Sequence, residues 1–217
     1  MDPIHTIALT MGSAWASGIN LYATVFVLGY LGMTGDIALP PELQILSHPL
    51  VLGAAAVMYC IEFFADKVPG VDTGWDTLHT FVRIPAGALL AAGAVGEVSA
   101  PAEFAAMLAG GSLAAGSHAF KAGSRVVINA SPEPFTNWAA SITEDVAVVA
   151  GLWTALHYPW LFLAALLVFI LLMIWLLPKL WRAIVKVFSF IGRLFGGGRD
   201  DGDRGGGASG SGAGPAS

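Results

Sequence analysis

Seven residues between Glu62 and Arg83 have the types and spacing to do chemistry: Glu62, Asp66, Lys67, Asp72, Asp76, His79 and Arg83, in the stretch EFFADKVPGVDTGWDTLHTFVR. Carboxylates and an imidazole exchange protons, and guanidinium groups clamp anions. Asp72, Asp76, His79 and Arg83 are spaced by 4, 3 and 4 residues, so one helix carries all four on one face. The second half of the chain holds an answering set. Lys121, Arg125 and Asn129 recur at intervals of 4, and Asn137, Ser141, Glu144, Asp145 and Val148 trace one stripe of a following helix. Asn20 adds a polar group early on, at the end of the run Gly12-Ser13-Ala14-Trp15-Ala16-Ser17-Gly18-Ile19-Asn20.

Three uses of these residues stay open from sequence alone. The first is a solvent-filled vestibule for a polar solute or ion. Its pathway would be formed by Asn20, Glu62, Asp66, Asp72, Asp76, His79, Arg83, Lys121, Arg125, Asn129, Asn137, Glu144 and Asp145. Within it Glu62 and Glu144 titrate, His79 accepts protons near neutral pH, and Arg83 and Arg125 hold anions. The second is a structural ion-pair network, in which loss of one partner costs about 3–5 kcal/mol. The third is an intramembrane enzyme acting on lipid. The sequence has no Walker A loop, no G-x-S-x-G elbow and no dinucleotide fingerprint, so the expectation is a non-enzyme with no catalytic residues and no cofactor. The HExxH and CxxC patterns of a metal site are also missing, and His5, His48, His118 and His157 are scattered as packed or interfacial residues, so no metal is expected.

Membrane helices are the elements that must position these groups. Only 12% of the 217 residues are charged and 56% are hydrophobic, whereas a soluble domain is about a quarter charged. Apolar segments run over 4–33, 50–65, 104–129, 135–156 and 160–177. The run 84–95 is too short to span, so a third segment must take in part of 75–83, drawing His79 and Arg83 toward the bilayer. The fold class expected is all-α, a polytopic membrane protein of six segments. The pairs Gly12/Ala16 and Ser13/Ser17 suit close helix packing; the alternative is an interruption near Gly18-Ile19-Asn20 that frees backbone groups to line a site.

With six spans and both termini cytoplasmic, all ten Lys and Arg fall on or near the cytoplasmic side, and the loops 34–49, 96–103 and 157–159 carry none. Five spans with a re-entrant first segment is the competing arrangement. The motif Gly12-Ser13-x-x-Ala16-Ser17-Gly18 is echoed by Gly111-Ser112-x-x-Ala115-Gly116-Ser117 at an offset of 99. The echo points to an inverted 3+3 repeat with interrupted helices, its halves at 4–98 and 102–178.

Pro178 closes the expected membrane domain, 1–178. Beyond it, 179–195 sets Lys179, Arg182, Lys186 and Arg193 among apolar residues, the pattern of a basic amphipathic helix on an anionic membrane surface. The glycine-rich tail 196–217 reads as disordered. The partners expected are membrane lipids and an unknown polar solute or ion, with no nucleic acid, and a chain this small admits a homodimer. The single cysteine, Cys60, excludes an intrachain disulfide.

Over about 10–178 the chain resembles a bacterial integral-membrane family, domain of unknown function 4126. Two motifs carry the resemblance. One is Glu62-x-x-x-Asp66-Lys67-x-Pro69-x-x-Asp72-x-x-Trp75-Asp76-x-x-His79-x-x-x-Arg83; the other is Arg125-x-x-x-Asn129-x-Ser131-Pro132-Glu133-Pro134. The family's pattern reads Arg-Pro-x-x-Gly where this chain has Arg83-Ile84-Pro85-Ala86-Gly87. The resemblance implies a small polytopic protein of the bacterial inner membrane and implies no substrate.

Overall fold

The computed structural model describes residues 2–68, 70–96, 98–130 and 134–196; the tail from 197 to 217 lies outside them, as do the side chains of 187, 188 and 190–196. Its helices are α1 (Pro3–Thr34), α2 (Pro49–Ala65), α3 (Val71–Val95), α4 (Ala100–Asn129), α5 (Pro134–His157) and α6 (Pro159–Gly196), with a 3₁₀ segment (Pro41–Ser47) before α2. Among the described residues there is no strand. Local chemistry marks the ends. Asp2 Oδ1 accepts the Ile4 N–H at 2.8 Å to cap α1, and Gly35, at φ 82, closes it. Gly70, at φ 87, turns the chain into α3.

Pro85 and Pro178, where the sequence points to a kink and a stop, sit inside unbroken helices. Neighbouring groups in a membrane bundle can satisfy the backbone that a proline frees. The stretch 179–195, expected as a separate surface helix, is therefore a continuation of α6, and Leu180 and Ile184 approach Gly123 of α4.

Polarity runs inside out. Arg83 and Arg125 head the largest fully buried side chains, with Glu62, Asp72 and Asp76 among them, while Leu50, Phe81, Phe135, Trp160 and Trp175 are exposed. In water this order would be reversed; in a bilayer, lipid covers the apolar exterior and charges are held inside. Among the described residues, four helices are long and apolar enough to cross a membrane: Pro3–Thr34, Val71–Val95, Phe135–His157 and Pro159–Lys186. The 3₁₀ segment and α2, bent by 65°, make up to one more. The chain is thus a multi-pass helical membrane protein. Helix α4, 30 residues long, is missing from that set because Lys121, Arg125 and its Gly and Ser residues lower its hydropathy. It packs against α3, α1 and α6.

The path of α1 corrects the six-span reading. The helix breaks at Asn20 (φ −145, ψ 97), where the sequence offers an interruption, leaving arms of 17 and 14 residues, Pro3–Ile19 and Leu21–Thr34. If α1 were straight, its 32 residues would span about 48 Å, and Ala38, four residues further on, could return by at most about 14 Å. Pro3, Thr6 and Ile7 nevertheless share one cleft of about 640 Å³ with Ala38, Leu39, Pro40 and Pro41, and Asp2 and His5 share a second with Ile37 and Ala38. The two arms therefore double back, and both ends of α1 lie at one end of the bundle, beside Val95 and Leu156. The C-terminal part of α6 runs to the other end, where Leu180 and Ile184 meet Gly123 and Asn129 bonds Asp72 at the start of α3. The start of α1 and this part of α6 therefore lie at opposite ends of the bundle, where the sequence reading sets both on one face.

The doubled helix is wedged among α3, α4 and α5. Small residues permit this. A Cβ at Gly18 would overlap the Ala114 carbonyl and Ser117, and one at Gly87 would overlap Ala114 and Ser17. Ser117 Oγ donates to the Trp15 carbonyl at 3.1 Å across the same crossing. The two echoed Gly/Ser motifs thus pack against each other, but α1 breaks there and α4 runs straight through. The echo serves contact between α1 and α4, and the halves do not share a chain path.

Candidate functional site

Beneath the break in α1 the ends of four helices bring a charged centre together. Glu62 and Asp66 come from the end of α2, Asp76 and Arg83 from α3, Lys121 and Arg125 from α4, and Asn137 and Glu144 from α5. The periodicities of 4 and 3 in the sequence turn all of these inward.

Arg83, with no exposed surface, donates from Nη1 to Asp76 Oδ1 at 2.9 Å and from Nη2 to Glu62 Oε1. Lys121 Nζ lies 2.8 Å from Asp66 Oδ2 and 3.3 Å from Glu62 Oε1. It also stands 3.6 Å from Glu144 Oε2 and 3.7 Å from Asp76 Oδ1. Arg125 Nη2 is 2.6 Å from Glu144 Oε2 and 3.6 Å from Asp66 Oδ2. Its Nη1 donates to the carbonyls of Asp66 (3.0 Å) and Asn137 (3.1 Å) and to Asn137 Oδ1. Three cations thus hold four carboxylates in one connected cluster. Glu144, 19% exposed, is the member nearest the surface. Buried charges of this kind persist when each is paired and hydrogen-bonded. Glu62 Oε2, Asp66 Oδ1 and Asp76 Oδ2 are nonetheless buried without a hydrogen-bond partner.

A polar shell surrounds the cluster. His118 Nδ1 stands 3.2 Å from Arg83 Nη1, which can only donate, so the imidazole hydrogen is on Nε2, 2.7 Å from Thr80 Oγ1. His79 Nδ1 faces the Trp75 carbonyl at 2.9 Å and its Nε2 meets the Tyr22 hydroxyl at 3.0 Å, a set of partners that the neutral tautomer satisfies. Asp72 is held at the start of α3 by Asn129 Nδ2 (2.8 Å to each oxygen) and by the Gly70 and Thr73 N–H groups. Lys67 Nζ reaches the Phe63 carbonyl at 3.1 Å and Ser141 Oγ at 3.5 Å.

Asn20 ties the break itself to this region. Its Oδ1 accepts the Ala23 N–H at 2.9 Å, capping the second arm of α1, and its Nδ2 donates to Asp145 Oδ1 at 2.9 Å. One side chain therefore ends one half-helix, starts the next and binds an acid of α5.

All thirteen pathway residues expected from the sequence fall in this cluster or its shell. Of the four surface cations expected on 179–195, Lys179, Arg182 and Lys186 are exposed on α6, with Lys179 Nζ 2.9 Å from the Trp175 ring centroid, and the side chain of Arg193 lies outside the described residues. Sequence reasoning passed over His118, Thr80 and Tyr22. His118 carries a signal, since 118, 121, 125 and 129 continue one helical stripe at intervals of 3, 4 and 4. Tyr22 and Thr80 carry none. Among the described residues no group of three or more His, Cys, Asp or Glu is arranged to hold a metal ion.

A family model described as a domain of unknown function (DUF4126) matches residues 7–179, the whole bundle up to the first basic residue after Pro178. No curated protein and no solved structure matches the chain.

Proposed function

The chain belongs to this family, the domain of unknown function DUF4126, and from its site we propose that it is a small secondary transporter or channel for a polar solute or ion. In this reading α2 to α6 cross a bacterial inner membrane five times, and α1 enters and leaves from the outer face. Lys67, Lys179, Arg182 and Lys186 mark the charged end as cytoplasmic, which leaves the start of α1 outside and the end of α6 inside.

One observation carries the reading. A helix broken at Asn20 is buried inside the bundle, and the residue at the break binds Asp145 beside a cluster of buried charges. Broken helices at membrane depth are tolerated where protein or a cavity covers them, and transporter sites are built from their ends. Glu144, as the most exposed acid of the cluster, is the entry from the cytoplasmic side, and Arg83 and Arg125 are the anion-holding groups.

A second reading, a non-transporting scaffold, draws on the completeness of the pairing: Arg83, Lys121 and Arg125 each face at least two carboxylates. The test is solid-supported-membrane electrophysiology on reconstituted full-length protein. Proteoliposomes would be challenged with small carboxylates, phosphate, amino acids and monovalent cations. Currents that saturate with one solute and vanish in Glu144→Gln support transport. Silence towards the entire set, from protein that remains folded in the liposomes, supports the scaffold.

A further inference from the structure

The charged cluster does not balance. Glu62, Asp66, Asp76 and Glu144 bring four negative charges, and Arg83, Lys121 and Arg125 bring three positive ones. We infer that the cluster binds one proton at neutral pH, shared among Glu62, Asp66 and Asp76.

Every element packed on the cluster has been counted in that balance. His118 is satisfied as a neutral imidazole, because its Nδ1 faces the Arg83 guanidinium, which can only donate. His79 bonds the Trp75 carbonyl and the Tyr22 hydroxyl and makes no ion pair with the cluster. Lys67, on α2, is turned toward Ser141 and the Phe63 ring. Asp145, on α5, adds a further negative charge beside it, facing Asn20 and Tyr59. Asp72, on α3, adds another, held by Asn129. From α1 the titratable group that faces this region is Tyr22, a neutral phenol, beside the uncharged Asn20. Lys67, whose charge acts on Asp66 and Asp145, offsets Asp145, and the negative excess of the cluster stays.

An uncompensated carboxylate in such a site becomes neutral by taking up a proton. The geometry identifies where. Within the cluster, Glu62 Oε2, Asp66 Oδ1 and Asp76 Oδ2 are left without a donor, each on a side chain at least 97% buried; Asp145 Oδ2, outside the cluster, is left without one too. A hydrogen on one of these oxygens removes one unit of charge and leaves every ion pair to the opposite oxygen in place. Because the three acids share Arg83 and Lys121, the proton belongs to the group and not to one residue. Glu144, reaching the surface and sharing Lys121 and Arg125 with the group, is the port for exchange. This proton site stands apart from the transport reading, which would employ it as the coupling ion.

The test is infrared spectroscopy of the full-length protein in lipid nanodiscs, sodium-free and at neutral pH. The expected spectrum contains a protonated-carboxyl C=O stretch that moves down in D₂O. Glu62→Gln, Asp66→Asn and Asp76→Asn each equalise the charges, so any of the three that folds should lose the band. A wild-type spectrum without the band overturns the inference. So does a band of unchanged intensity in all folded variants, which would place the proton elsewhere. The spectrum is read without transport, so a band present in protein that carries no current would remove the transport reading alone.

Discussion

Two neighbouring regions of the bundle are held together by different forces. In the small-residue region, around Gly18, Gly87 and Gly110, helices α1, α3 and α4 touch through hydrogen atoms and small side chains, with Ala14, Ala91 and Ala114 between them. At the charged end, α2, α3, α4 and α5 meet through Glu62, Arg83, Lys121, Arg125 and Glu144. The first contact is one of shape. Lipid is as apolar as leucine, so close backbone approach is what holds membrane helices together there. The second is one of charge, and in a low-dielectric interior its weakness lies in any partner left alone. The comparison teaches that the small-residue region is intolerant of volume and the charged end intolerant of imbalance.

Substitutions that exchange the two vulnerabilities would break the comparison. The largest effect is expected for Gly18→Leu, whose side chain has to pass through the Ala114 backbone; no monodisperse protein should elute in size-exclusion chromatography. Arg83→Ala comes next. It strands Glu62 and Asp76 and should cost about 3–5 kcal/mol, seen as a fall in melting temperature in detergent. Adding Glu62→Gln and Asp76→Asn should return most of that loss, whereas no change of polarity should rescue Gly18→Leu.

Asn20→Ala should cost about 2 kcal/mol, because it removes the cap of the second arm and a donor to Asp145. Asp2→Ala, which removes the exposed cap of α1, should lower the melting temperature by less than Asn20→Ala. The Ile4 N–H holds the Asp2 carboxyl below its ordinary value of 3.8, so this contribution is complete above that value and is lost as the pH falls through the lower, folded one. Arg182→Ala, on the exposed face of α6, should stay within about 0.5 kcal/mol of the parent.

The charged end was the more legible in sequence. Spacings of 4 and 3 between charged residues define a helix face, and a charge in an apolar segment demands a partner. That logic found Glu62 through Asp145 without coordinates. It missed Tyr22 and Thr80 because a single hydroxyl in an apolar helix has no pattern to betray it. The small-residue region was legible only as composition. Small-residue pairs in 12–18 allow either close packing or a break, and both occur: Gly18 packs on Ala114 while Asn20, two residues later, leaves the helix. Whether the arm beyond the break continues onward or returns depends on a single pair of dihedral angles, which hydropathy does not encode. Counting apolar residues therefore made a span of α1, and an even number of spans then placed both termini on one face. The positive-inside pattern remained uninformative on this point, since 1–61 contains no Lys or Arg.

The transport reading of the site depends on α1 turning back at Asn20. Impermeant-maleimide labelling of single cysteines tests this most directly, with His5→Cys and Lys186→Cys each placed in a Cys60→Ala background and labelled in intact spheroplasts. The account predicts that His5→Cys reacts from outside and that Lys186→Cys reacts only after the membrane is permeabilised. If both cysteines are protected until permeabilisation, α1 crosses the membrane, and a re-entrant helix ending at the charged centre is contradicted.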